Sequence, residues 1–204
     1  MNSKRYNIGF STGALLFEKA NSLILGIKSI DDYLQGDEKL DSGLILVNSE
    51  VSNRKYLGEI NKRLQGINEE LYVNYINSDD QTRRLILFYL TCKSYSLITE
   101  FLIEVVLEKW LNLDREISTE DFQLFFDLKS ETYEELEQVT ANTRYKLSQT
   151  VLKILKEVGM VKGGQLHKLF YAEDTLEIIA RTGDAWFLDV LLLNKIEKEE
   201  IIGR

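Results

Sequence analysis

The chain has 204 residues, of which 25 are basic and 33 acidic, and its net charge of −8 at pH 7 argues against a protein that coats nucleic acid over its whole surface. This length allows one domain, or two small ones, with a sizeable hydrophobic core. The single cysteine, Cys92, excludes an internal disulfide framework and favours a reducing, cytoplasmic location. No stretch approaches the roughly 20 apolar residues that a bilayer-spanning helix needs, so we expect no membrane association.

The absence of proline, together with many leucine, lysine, glutamate and isoleucine residues, favours a mainly helical fold. In the first half, residues 11–13 predict the cap of a helix over residues 14–25, and a short helix follows around residues 30–34. Residues 44–47 are apolar and fit either a buried strand or a helical turn. Further helices are predicted over residues 49–65, 68–77, 79–93 and 95–112.

The segment from Asn112 to Ser118 predicts a joint between an N-terminal helical domain, 1–112, and a C-terminal domain, 113–204. Three helices are expected after the joint. Ser118 caps the first, the second covers about residues 131–139, and Asn142 caps the third. Gly159 is expected to end the third helix.

The charge is distributed unevenly along the chain. The net charge is 0 over residues 1–99, −9 over 100–141, +5 over 142–168 and −4 over 169–204. Salt screening limits the reach of each charge to about 10 Å, so a local basic surface can act within an acidic protein.

The third helix is strongly amphipathic when its residues are placed on a helical wheel. The apolar positions fall on one side, and they are Leu147, Val151, Ile154, Leu155 and Val158. The opposite side carries Lys146, Gln149, Lys153 and Lys156. The pattern predicts a helix that buries one face and presents ammonium groups on the other, although such lysines can also be an ordinary solvated surface.

A short hairpin is expected directly after this helix. Gly163 and Gly164 accept the positive φ angles of a type I′ turn, and Lys162, His167 and Lys168 flank its tip. Three short helices followed by a two-stranded wing is the order of elements in a winged-helix domain. We therefore predict a winged-helix-like C-terminal domain with one β-hairpin, although the same order also occurs in protein-interaction modules.

The sequence offers little catalytic chemistry. The one histidine, His167, lies beside lysines, and Cys92 fits core filling, so no Ser-His-Asp or Cys-His arrangement is expected. Zinc sites built from Cys and His are excluded by count, and neither a P-loop nor a dinucleotide-binding glycine motif occurs. A magnesium-dependent carboxylate site remains open, but no spacing favours it. We expect no enzyme activity, no cofactor and no metal.

Several segments together resemble the BrxA family of bacterial BREX phage-defence systems. The similarity is carried by the opening residues 6–18, by the helix with Arg54 and Lys62-Arg63-Leu64, by the helix around Phe101, and above all by residues 143–161 with their Thr-x-x-x-Leu … Leu-x-x-x-Gly pattern. The resemblance implies a small, non-enzymatic, mainly helical protein that binds double-stranded DNA. It also implies action beside a methyltransferase, an ATPase and a phosphatase-like component.

The first hypothesis is therefore a cytoplasmic accessory factor that binds double-stranded DNA with weak sequence preference. Lys146, Gln149 and Lys153 are expected to face the groove. The residues expected to contact phosphates are Arg144, Lys156, Lys162 and Lys168, with Lys62 and Arg63 extending the footprint. Neutralisation of about five phosphates predicts a salt slope of roughly −4 to −5 on a log–log plot.

The second hypothesis is a protein-interaction adaptor without direct DNA contact. In this interpretation an acidic helix docks on a basic partner, and its carboxylates are Glu131, Glu134, Glu135 and Glu137. An RNA-binding module is less favoured, because no exposed aromatic platform with flanking basic residues is evident.

Overall fold

The computed structural model describes residues 6–45 and 49–203, and it is mainly helical with one short β-hairpin, as predicted. The helices, in chain order, are α1 (Phe17–Leu25), α2 (Ile30–Gln35), α3 (Glu50–Leu64), α4 (Glu69–Asn77), α5 (Asp80–Ser94), α6 (Ser96–Phe101), α7 (Leu107–Leu111), α8 (Thr119–Ser130), α9 (Glu134–Glu137), α10 (Ala141–Glu157), α11 (Glu173–Ile179), α12 (Phe187–Val190) and α13 (Lys195–Ile202). The strands are β1 (Val161–Lys162) and β2 (Gln165–Leu166).

The start of the chain differs from the prediction. Residues Gly9–Thr12 form a 3₁₀ turn, and α1 begins only at Phe17. Leu16 interrupts any earlier helix because its φ angle is 58°, in the left-handed region. The backbone N–H of Leu15 donates instead to Glu157, at 2.7 Å, so a long-range contact overrides the local capping pattern.

Three helices in the first half follow the predicted boundaries closely. Ser49, Asn68 and Asp79 cap α3, α4 and α5, each accepting a backbone N–H three residues further on. Ser42–Leu44 forms a 3₁₀ turn, whereas Leu46 and Val47 lie outside the described residues. Of residues 44–47, Leu44 is therefore helical rather than part of a strand, and the prediction for Leu46 and Val47 is not tested.

The centre of the core is formed by α5 and the helix that follows it. Eight consecutive residues of α5, from Leu85 to Cys92, are buried. Tyr95 breaks the helix, and α6 continues through a π-helical segment, Leu102–Val106, into α7. No single described helix is both long and apolar enough to cross a membrane; α5 and α6–α7 pass this test only as a pair, with a bend of 105° between them.

A buried ion pair joins α3 to the N-terminal segment. Arg63 and Glu59 are 3% and 7% exposed, and the Arg63 Nε donates to Glu59 Oε1 at 2.7 Å. The same guanidinium donates to the backbone carbonyls of Ala14, at 2.6 Å, and Gly13, at 3.0 Å. The Tyr95 hydroxyl donates to the Glu59 carboxylate at 2.6 Å. The pair is thus fully hydrogen-bonded, which a buried charge requires.

Contacts cross the predicted boundary between residues 112 and 113 at both ends of the chain. The N–H of Tyr6 donates to Glu135 on α9. The C-terminal helices pack back on the first half: Tyr89 on α5 donates to Asp184, at 2.6 Å, and Thr175 on α11 donates to Asn74 on α4, at 2.9 Å. The division into two domains stays a prediction, and these contacts hold the C-terminal helices against α4 and α5.

We expect Arg63→Ala to lower the free energy of unfolding by about 3–5 kcal/mol, because it leaves the buried Glu59 carboxylate without its counter-charge and two backbone carbonyls without their donor. The control is Arg54→Ala, since Arg54 and Glu50 form a solvent-exposed pair at 4.0 Å, and this change should cost less than about 0.5 kcal/mol. Urea denaturation followed by circular dichroism measures both. Equal losses for the two variants would contradict the structural role of the buried pair.

Candidate nucleic-acid interface

Helix α10 presents the predicted amphipathic surface. Its buried side packs against α8 and β1, and the buried residues are Leu147, Ser148, Val151, Leu152, Ile154 and Leu155. The helix begins two residues earlier than predicted, because Thr140 rather than Asn142 is the N-cap and accepts the N–H of Thr143 at 3.3 Å. Gly159, with a φ angle of 87°, ends the helix and turns the chain toward β1, as expected.

The elements before α10 differ in length from the prediction. Asp121 accepts the N–H of Ser118 at 2.8 Å, so the predicted start of α8 is confirmed. In contrast, α9 covers only Glu134–Glu137 rather than residues 131–139. Tyr133 and Thr140 on either side of α9 have extended backbone conformations, which restrict it to a single turn.

The predicted hairpin is present. Val161 pairs with Leu166, and Lys162 pairs with Gln165, in an antiparallel register. Gly163 and Gly164 form the two-residue loop with φ angles of 58° and 80°, as a type I′ turn requires.

A preceding segment braces this hairpin on its other edge. The N–H of Ile117 donates to the Gly164 carbonyl at 2.9 Å, and the N–H of Leu166 donates to the Arg115 carbonyl at 2.7 Å. The hairpin is therefore held beside the start of α8. The order of α8, α9, α10 and hairpin matches the expected order, and the winged-helix assignment itself stays a prediction.

Four exposed cations form what we call the cationic face: Lys146, Lys153, Lys156 and Lys162. No ion pair or hydrogen bond involves the ammonium group of Lys146, Lys156 or Lys162 anywhere in the described part of the chain. Lys153 lies 3.8 Å from Glu157, but its side chain is 68% exposed. Gln149 is exposed among them. Since these groups have no strong internal partner, their charge is available to a ligand.

Arg144 lies elsewhere, in the packing between α8, α9 and α10. Its Nη1 donates to Asp127 on α8 at 2.7 Å, and its Nε donates to the Val139 carbonyl at 3.0 Å. The guanidinium also lies over the Phe126 ring, 5.3 Å from its centroid. These contacts give Arg144 a role in the fold, whereas the sequence suggested a phosphate contact.

Lys168 is also engaged within the protein. Its ammonium group binds the carboxylate of Glu197, which caps α13. This hydrogen bond, together with the N–H of Asn194, lowers the pKa of Glu197 below its ordinary value. His167 beside it is exposed. The cation of Lys168 is therefore largely neutralised, and the interface gains little charge from it.

Lys62 and Arg63 do not extend the cationic face. Arg63 is buried in its pair with Glu59. The Lys62 ammonium lies 4.2 Å from the centroid of the Tyr95 ring, and partial burial lowers the pKa of Lys62. The sequence pattern does not indicate this burial, because the charged and apolar faces of α3 are poorly separated.

Two residues that the sequence hypothesis left out lie on the exposed side of α10. Asn142 is exposed, and Tyr145 keeps 48% of its surface in solvent. Asn142 and Tyr145 lie seven and four residues before Gln149, so the same helical wheel places them on its side of the helix. The sequence pattern favours Asn142 as the cap of the helix and so does not indicate a binding role for its side chain.

The described residues contain no group of three or more His, Cys, Asp or Glu side chains that could hold a metal ion. A surface cavity of about 460 Å³ lies beside the hairpin, lined in part by Lys109, Asp114 and Asp121. The Lys109 ammonium donates to both carboxylates, at 2.8 and 3.1 Å, and its hydrogen bond to Asp114 is the main reason that the pKa of Lys109 is raised. These three charges are thus paired with one another.

Comparison with known proteins identifies the family. The BREX protein BrxA of Bacillus cereus (strain H3081.97) is 25% identical over 182 residues, which cover 87% of this chain and 91% of that protein. A crystal structure of an uncharacterized protein from Magnetospirillum magneticum has the same fold, with a TM-score of 0.73 over 93% of this chain and 100% of that one, at 16% identity. The model of the BrxA family matches residues 4–183. The chain therefore belongs to the BrxA family.

Proposed function

We propose that this protein is a non-enzymatic, double-stranded DNA-binding accessory protein of a BREX anti-phage defence system. Its membership of the BrxA family supports the system, and the name of the Bacillus cereus relative supports it too. The cationic face is the observation that carries the DNA-binding part. It combines a helix and a hairpin, the two element types that contact a groove and the backbone in winged-helix proteins.

The electrostatics of the cationic face fit a polyanion. Four exposed ammonium groups lie on α10 and β1, inside a protein of net charge −8. Release of counterions from DNA favours binding at each neutralised phosphate. With Arg144 and Lys168 engaged internally, about four contacts remain, and the expected log–log salt slope becomes about −3.6.

The direct test uses a double charge reversal. Lys146→Glu with Lys153→Glu should weaken binding to any duplex by about tenfold or more, because two attractive contacts become repulsive. The control, Lys39→Glu with Lys55→Glu, changes the net charge equally at two exposed positions away from α10. Fluorescence anisotropy with a 20-base-pair duplex at two salt concentrations measures both variants. Equal weakening by the two double variants would reject the cationic face as the binding site.

A second prediction separates Arg144 from Lys146, its near neighbour. Arg144→Ala should lower the free energy of unfolding by about 1–3 kcal/mol, because it removes charge-assisted hydrogen bonds, and should leave the salt slope unchanged. Lys146→Ala should reduce the magnitude of the slope by about 1 and change stability by less than about 0.5 kcal/mol. Urea denaturation and anisotropy titrations in several salt concentrations give the four values. A reduced slope for Arg144→Ala would return this residue to the interface.

A feature of α8 favours a second function, docking to a partner protein. Leu124 and Leu128 lie one turn apart and are 66% and 67% exposed. Glu120, Asp127 and Glu131 surround them on the same exposed side. An apolar pair among carboxylates suits a basic amphipathic helix of another system component, and DNA would be repelled from this surface.

Leu124→Ser with Leu128→Ser tests the second function. If α8 docks a partner, this variant should lose co-purification with the other system components from cells that express the whole system. Duplex affinity should stay unchanged, because the substituted residues lie outside the cationic face. Retained co-purification by the folded double variant would remove α8 as a docking surface.

A further inference from the structure

We infer that the first half of α10 reads base edges, and that Asn142, Tyr145 and Gln149 give this protein a preference for adenine-containing sites. The inference rests on the proposed binding of duplex DNA and concerns its specificity. The lysines of the cationic face supply affinity that does not depend on sequence. A specificity determinant therefore has to lie among the neutral groups on the same side of the helix.

The three side chains share one exposed face of the helix. They lie at positions i, i+3 and i+7, and this spacing brings residues onto one side of an α-helix. Lys146 at i+4 lies on the same side and links them to the cationic face. Asn142 and Gln149 are exposed, whereas Leu147 and Val151, on the opposite side, are fully buried. The three groups are thus presented to the same ligand as the lysines.

The capping arrangement leaves Asn142 available. Thr140 accepts the N–H of Thr143 and so performs the capping role that the sequence suggested for Asn142. No hydrogen bond to the side chains of Asn142, Tyr145 or Gln149 occurs within the described ranges. Their polar groups therefore keep their full capacity to bind an external partner.

The chemistry of these groups selects for adenine. Carboxamides such as those of Asn142 and Gln149 form two hydrogen bonds with adenine, one to N7 and one from N6. The half-exposed ring of Tyr145 offers an apolar edge to the methyl group of the paired thymine. Guanine and cytosine leave at least one of these groups without a matching partner, and a mismatched base pair weakens binding.

The length of the face fits a short site. Asn142 and Gln149 are seven residues apart, which is about 10 Å along the helix. Base pairs in duplex DNA are spaced about 3.4 Å apart, so the face spans about three of them. The expected signal is therefore a preference over a core of about three base pairs, flanked by positions that only the lysines contact.

The experiment begins with the intact protein and a duplex library that carries a randomised central segment. Bound duplexes are sequenced, and the best and worst sites are then measured by anisotropy. We expect adenine-containing cores to be enriched and to bind about tenfold more tightly than cores of guanine and cytosine alone. The combined variant Asn142→Ala, Tyr145→Ala and Gln149→Ala should bind both classes equally, with an unchanged salt slope.

A charge variant provides a second readout. Gln149→Glu should move the preferred base at one position from adenine to cytosine, because a carboxylate accepts a hydrogen bond from cytosine N4. Lys146→Ala is the matched control, and it should weaken all sites alike. Circular dichroism melting verifies that each variant is folded.

The possible failures are distinguishable. If the intact protein binds all duplexes equally, or prefers guanine cores, the inference is wrong while the proposed function stands. If the combined variant keeps the adenine preference, the preference arises from DNA shape, and these three residues do not read it. If the intact protein binds no duplex, the proposed function itself fails.

Discussion

The buried pair of Arg63 and Glu59 is the interaction on which the position of α10 depends. Arg63 holds the carbonyls of residues 13 and 14, and the next residue, Leu15, donates its N–H to Glu157 at the end of α10. The N-terminal segment therefore connects α3 to α10 through hydrogen bonds at residues 13–15. A buried ion pair of this kind adds little net stability to the fold. Any conformation that leaves one of its two charges buried without the other is strongly destabilised. It fixes where the last turn of α10 lies relative to the first half of the chain.

The fold then determines which basic groups remain available. Of the cations that the sequence grouped together, Arg144 closes the packing between α8 and α10, Lys168 binds Glu197 on α13, and Arg63 belongs to the core. The remaining lysines project from α10 and the hairpin without strong partners. The basic surface is smaller than the composition of residues 142–168 suggests. Its three lysines on α10 lie opposite the buried side of this helix, which packs on α8. On α9, the carboxylates of Glu134 and Glu137 form no ion pair with this surface among the described residues.

The sequence predicted the features that depend on local chemistry. The amphipathic pattern of α10, the Gly163-Gly164 turn and the boundaries of α3, α4 and α5 all follow from residues within one or two turns of one another. It failed where distant residues decide. Leu16 adopts a left-handed conformation beside Leu15, whose N–H donates to the distant Glu157. Arg63 is buried, and its guanidinium donates to backbone carbonyls that lie some fifty positions earlier in the chain. The sequence does not predict the π-helical segment Leu102–Val106, because this segment leaves the apolar pattern of its helix unchanged.

Lysine footprinting tests the central claim, that a small cationic face binds duplex DNA, most directly. The protein is acetylated briefly with and without duplex DNA, and the modification of each lysine is quantified by mass spectrometry. The account predicts protection of Lys146, Lys153, Lys156 and Lys162. Lys39, Lys55 and Lys195, which are exposed on other elements, should react equally in both samples. Protection of this second group, or no protection of the first under conditions in which the duplex is bound, would contradict it.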